Sequence, residues 1–143
     1  MPKTIYLYYY ATDPNIESYS INVPNDNDTT KPSSNNSYDV CDLFDDKFIK
    51  IGQLARNLQL PYMNNSDGNG QYYQNIVLED GSLTVVFNYF SKNISGDYFP
   101  GGIPIPFTYL YGSGSYFNKK ISGFLLPYDN DVKSRAYVIN IEE

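Results

Sequence analysis

The 143-residue sequence contains no histidine and no tryptophan, and its only cysteine is Cys41. Without histidine there is no Ser-His-Asp triad, no Cys-His nucleophile pair and no His-ligated zinc. Acid–base chemistry near neutral pH would fall to a shifted carboxyl, a tyrosine or a lysine. A single cysteine forms no internal disulfide and no thiolate cluster, and Cys41 in its apolar neighbourhood reads as a small core residue. No metal and no cofactor is expected. Basic residues are also few, 10 against 16 acidic for a net charge of −6, and no basic stripe is visible. Nucleic acid and anionic membranes are therefore not expected partners. No apolar run is long enough to span a bilayer as a helix, and the N-terminal "MPKTIYLYYYATDP" lacks the apolar core and cleavage site of a signal peptide. The expectation is a soluble intracellular protein. The four Asn-x-Ser/Thr triplets at Asn27, Asn35, Asn64 and Asn93 would then stay unmodified.

What the sequence has instead is aromatic residues: 16 Tyr and 8 Phe. These fit a pleated, half-buried surface, and with 10 Gly and 9 Pro as punctuation they point to an all-β chain. The length suits one domain over residues 1–143.

Strands are expected at 4–11, 18–23, 72–80, 82–91, 107–112, 120–128 and 134–143. Residues 24–37 and 92–106 read as long loops. Within 38–63, "CDLFDDKFIK" allows a helical turn or a loop with Asp42, Asp45 and Asp46 facing solvent. In "KIGQLARNLQL" the leucines fit either a helix or, at Leu58 and Leu60, a strand. The three acids do not follow an EF-hand's ligand spacing and lack its central glycine. Asp80-Gly81 between two β-rich runs predicts the clearest hairpin. Along 82–91, Leu83, Val85, Phe87 and Tyr89 share one face and Thr84, Val86, Asn88 and Phe90 the other, so both faces are partly apolar.

The stretch "LYGSGSYFNKKISG" (110–123) has glycines enough to suggest a phosphate loop. No glycine precedes Lys119 and no Ser or Thr follows it, and position 117, where a dinucleotide fingerprint needs glycine, is Phe117. The stretch reads as a turn between two strands, with Ser113-Gly114 at the bend.

On these residues the chain resembles the allene oxide cyclase-like and dirigent-like barrels. Gly112-Ser113-Gly114 stands for their glycine turn, Tyr116-Phe117 for the following aromatic and Ser122-Gly123 for the start of the next strand. "DGSLTVVFNYF" and "PGGIPIPF" follow the family's order of acid-Gly turn, long strand and Pro/Gly crossover, most convincingly over 72–128. The resemblance implies an eight-stranded antiparallel β-barrel of calycin type, commonly trimeric, with room inside for one small ligand. The plant cyclases' catalytic glutamate falls at Tyr9, a water-binding asparagine near Val40 and a mid-barrel cysteine near Leu58, and none is retained. Allene oxide cyclase activity is therefore not expected.

Two functions remain in view. One is a barrel that accommodates an apolar small molecule, as a cyclase or isomerase acting by positioning, with Leu7, Tyr9, Leu58 and Phe87 as its lumen residues. The other is a non-enzymatic structural protein that self-associates as a trimer or larger. The Asn/Tyr/Ile-rich composition resembles that of AT-rich genomes, including those of large DNA viruses or protists, and a viral source would make this second function virion-associated.

Overall fold

The computed structural model describes residues 2–10, 17–23, 33–63, 68–91, 104–126 and 134–142. These form ten strands: β1 (Lys3–Tyr10), β2 (Glu17–Val23), β3 (Ser33–Phe44), β4 (Lys50–Met63), β5 (Gly68–Leu78), β6 (Gly81–Ser91), β7 (Ile105–Pro106), β8 (Thr108–Gly114), β9 (Lys120–Leu125) and β10 (Ser134–Glu142). The chain is all-β, and every ladder is antiparallel. Hydrogen bonds follow the order β7-β9-β10-β1-β3-β4-β5-β6-β8, with β2 beside β3. The barrel nearly closes.

The path has nine strands rather than the expected eight. The excess comes from interruption. β1 and β2 both run antiparallel to β3, along the edge that β4 leaves free. β7 and β8 are one extended run that changes partner at Phe107, from β9 to β6. The seam is short: Ile105 pairs Leu125, Pro106 pairs Phe124, and the Phe107 amide donates to the Gly123 carbonyl at 3.1 Å.

Four expectations change. Residues 105–106, expected at the end of the 92–106 loop, form β7 because they pair with Leu125 and Phe124 of β9, while 24–32 and 92–103 lie outside the described residues. Residues 33–37 belong to β3 rather than to a loop, because this Ser/Asn-rich run has backbone partners on both sides, β2 and β4. The 38–63 region is strand–turn–strand, with no helical turn. In that turn Asp45 accepts the amides of Lys47 and Ile49 at 2.8 and 3.0 Å, the side-chain-to-backbone bonding that suits aspartate to tight turns. Asp42 does not face solvent: it is buried and pairs with Lys50 at 3.1 Å. Finally, β8 and β9 share no ladder among the described residues. Ser113 and Gly114 are strand residues, and the reversal occupies 115–119, because β6 already takes the bonds of β8.

The β5–β6 hairpin forms as expected, but Leu78 pairs Gly81, so Glu79-Asp80 make its turn. Gly81 is required by crowding. A Cβ there would lie 2.2 Å from the Ser113 carbonyl oxygen of β8. Its partner Gly114 has φ +60 and an equally tight approach, 2.3 Å, to the Asp80 carbonyl oxygen. The glycines thus serve strand contact at this end of the barrel.

Candidate binding site in the barrel interior

Side chains alternate across each strand, so aligned registers stack the inward residues in layers. One layer runs Cys41–Leu54–Ile76–Leu83 across β3 to β6, all essentially without exposure. Leu7, Tyr137 and Leu125 face it from β1, β10 and β9, with Ile139 beside them. This is the apolar core.

The next inward layer is polar. Asp39 pairs Arg56, Arg56 pairs Gln74, and Gln74 pairs Val85 across four adjacent strands. Arg56 Nε and Nη2 donate to the two Asp39 carboxylate oxygens at 2.5 and 2.7 Å, a fork that leaves Nη1 outside it. The Tyr9 ring covers the guanidinium, 4.6 Å from centroid to Cζ. Burial opposes the charge on Arg56, yet Tyr9, Tyr72 and the Asp39 hydrogen bond outweigh it and hold the group protonated. The side chains of Arg56 and Asp39 keep 13% and 21% exposure, so this layer is not sealed.

Gln74 is fully buried, and its Oε1 accepts a hydrogen bond from the Tyr137 hydroxyl. Burial, reinforced by Tyr9, raises the Tyr137 pKa well above 10.0 and keeps that hydroxyl a donor. Gln74 Nε2 has no hydrogen-bond partner among the described residues. Above this layer Tyr72 and Phe87 are register partners with ring centroids 5.3 Å apart, and Tyr9 lies 5.8 Å from Tyr137.

Of the expected lumen residues, Leu7, Tyr9 and Phe87 all belong to one buried cluster. Leu7 lies in the apolar core, Tyr9 against Arg56, and Phe87 beside Tyr72. Leu58 stands on β4 opposite Ser37 and Tyr72, and its side chain lies outside the described residues. Val40 points outward, whereas its neighbour Asp39 joins the interior fork. Sequence reasoning missed Asp39, Arg56 and Gln74. The signal was there: Arg56 alternates with Leu54 and Leu58, and Gln74 with Tyr72 and Ile76, so both occupy inward positions.

At the opposite end, a cavity of about 860 Å³ enters between Ile5, Ile51, Leu78 and Tyr116 and reaches Leu7. Its rim carries Lys50, Glu79 and Asp80, and the Tyr116 hydroxyl donates to Asp80 at 2.9 Å.

The nearly closed antiparallel barrel is a fold shared with solved structures that include a dirigent protein. Pyocyanin demethylase superposes with a TM-score of 0.59 at 11% identity over 98% of each chain. A pterocarpan synthase dirigent protein gives 0.60 at 10% identity, covering 99% of this chain and 93% of its own. AbnU, an exo-specific intermolecular Diels-Alderase, gives 0.54 at 14% identity over 99% of both chains. The sequence matches no family model and no curated protein. At these identities the likeness is one of fold.

Proposed function

We propose that this protein is a small-molecule-binding barrel whose interior holds an apolar ligand in a fixed orientation. The observation that carries the reading is the polar layer Asp39–Arg56–Gln74 inside an otherwise apolar core. A barrel built only for stability gains nothing from it, because apolar residues of similar volume commonly stabilise as well or better than a buried ion pair. An unused amide donor adds a further cost of roughly 1–3 kcal/mol. Ligand recognition accounts for both, since pockets combine apolar walls with a few placed polar groups. The aromatic rings of Tyr9, Tyr72 and Phe87 offer flat surfaces to a planar ligand.

If chemistry follows binding, ring closure or isomerisation suits the site. Such reactions gain chiefly from conformational restriction, and the chain has no histidine for proton shuttling. One structural neighbour supports this direction, since it is named as a Diels-Alderase, a ring-forming protein. The test is a thermal-shift survey of planar aromatic and polyketide-like compounds, with mass spectrometry of the purified protein for retained ligand. One ligand per chain and a rise in Tm are expected. A survey with no binder, together with a ligand-free protein, would contradict the proposal.

One observation favours self-association as a second reading. Tyr6, Val138, Phe124 and Pro106 are register neighbours on the outer face of β1, β10, β9 and β7, and Tyr6 and Phe124 are 50% and 43% exposed. Such an apolar row suits contact with another copy. Native mass spectrometry of wild type and Tyr6→Lys/Phe124→Lys tests it: an oligomer dispersed by the pair supports it, and a wild-type monomer contradicts it.

A further inference from the structure

We propose that Gln74 Nε2 and Arg56 Nη1 together bind a carbonyl oxygen, so that the ligand of this barrel is an apolar molecule bearing a neutral ketone, enone or lactone group. The inference rests on the ligand-binding reading above and specifies what the polar layer recognises.

Gln74 is completely buried, and a side-chain amide has two donors and one acceptor oxygen to satisfy. Tyr137 settles its orientation. The buried hydroxyl donates to Oε1, which directs Nε2 away from Tyr137. The alternative amide placement would turn Nε2 to Tyr137 and leave Oε1 as the orphan, so either orientation leaves one polar atom unused. The tyrosine favours the orientation with Oε1 toward it, since that oxygen accepts the hydroxyl proton.

Gln74 and Arg56 are directly opposite in the β4–β5 ladder, both facing inward. Cross-strand neighbours hold their Cβ atoms roughly 4.5–5.5 Å apart, close enough for one oxygen atom to meet both side chains. Asp39 occupies the Nε–Nη2 edge of Arg56 and Tyr9 covers a face of the guanidinium, so the two Nη1 protons and the outer Nη2 proton are left over, with Nη1 wholly outside the fork. Asp39 also neutralises the cation, which removes the advantage a carboxylate ligand would otherwise have. Two N–H donors with little net charge match a carbonyl oxygen and its two lone pairs. They would polarise that carbonyl, which is how a fixed dipole assists ring closure or isomerisation beside an enone.

The experiment compares 2-acetylnaphthalene with 2-ethylnaphthalene, which are nearly isosteric and differ in the carbonyl. Binding is read by quenching of tyrosine emission, and the acetyl carbonyl stretch is read by infrared difference spectroscopy. Wild type should bind the acetyl compound about tenfold more tightly, with its carbonyl stretch moved to lower wavenumber. Gln74→Met should remove the preference and most of the infrared shift, so that the two compounds bind alike. Should Gln74→Met not fold, Gln74→Met/Tyr137→Phe replaces both hydrogen-bonding partners by apolar groups of similar shape and carries the same expectation. Equal binding of both compounds with an unshifted carbonyl overturns the carbonyl assignment and leaves the ligand-binding reading standing. Binding of neither compound overturns both. A carbonyl shift that persists in the double variant assigns the contact elsewhere and also overturns the proposal.

Discussion

Replacing Arg56 by methionine tests whether the interior ion pair is kept for reasons other than stability. The change removes two charge-assisted hydrogen bonds, at 2.5 and 2.7 Å, and the cation over the Tyr9 ring. It also leaves Asp39 with no counter-charge in a wall that exposes only 21% of its side chain. Breaking a fully buried pair typically costs about 3–5 kcal/mol, and the exposure left to Asp39 lowers the figure here to about 3 kcal/mol. Urea denaturation should show this as a lower midpoint at unchanged slope. The midpoint of thermal unfolding should fall by roughly 10 °C for a domain of this size. Arg56→Met/Asp39→Leu should recover most of the loss and unfold within about 1 kcal/mol of wild type, because an apolar pair replaces the ionic one. The reasoning is refuted if the double variant is as unstable as the sum of the single ones. That result would make the polar layer a net contributor to the fold, and its presence would no longer point to a ligand.

Leu54→Ala empties part of the apolar layer from a position with no exposure, and should cost about 2–5 kcal/mol by urea denaturation; a loss under 1 kcal/mol would mean the layer is not packed. Gly114→Ala places a methyl 2.3 Å from the Asp80 carbonyl oxygen at φ +60, so it should destabilise by more than about 2 kcal/mol, whereas Ser115→Ala in the adjoining turn should stay within about 0.5 kcal/mol. Tyr10, Tyr109, Tyr116 and Tyr137 all have pKa values raised above 10.0, with burial the first cause in each. A raised folded-state pKa gives stability that is complete below the unfolded value and is lost as pH rises through the folded one. Unfolding midpoints measured against pH should therefore fall above pH 10, as the last tyrosines ionise; all 16 tyrosines ionising near pH 10 without loss of structure would contradict the burial.

The parts of this fold that were legible in the sequence are those where side-chain alternation and turn chemistry agree. Leu83, Val85 and Phe87 face inward as their spacing implies, and the acid-Gly turn before them closes a hairpin. β3 was harder to read because "SSNNS" has no apolar residue to show a period, and its strand conformation comes from partners distant in sequence. The glycines at 112 and 114 suggested a hairpin because glycine commonly marks a bend. Here Gly114 lets β8 approach Gly81 of β6 instead. The interior polar layer was hidden for a related reason. Asp39, Arg56 and Gln74 are far apart in sequence, and their polar chemistry reads as surface even though Arg56 and Gln74 alternate with apolar neighbours. Only the registers of β3, β4 and β5 align them. Leu7, Tyr9 and Phe87, by contrast, sit on short runs of aromatic and β-branched residues that mark a strand, although both faces of those runs are partly apolar.

The most direct measurement is the binding of 2-acetylnaphthalene to wild type and to Leu7→Trp, followed by equilibrium dialysis. Leu7 lines the 860 Å³ cavity and stands on β1 between Ile5 of that cavity and Tyr9, which covers Arg56, so an indole there fills the interior between the cavity and the polar layer. The ligand-binding account predicts one probe per chain in wild type and at least tenfold weaker binding in the folded Leu7→Trp protein. Absence of binding to wild type, or equal affinity in the two proteins, would contradict it.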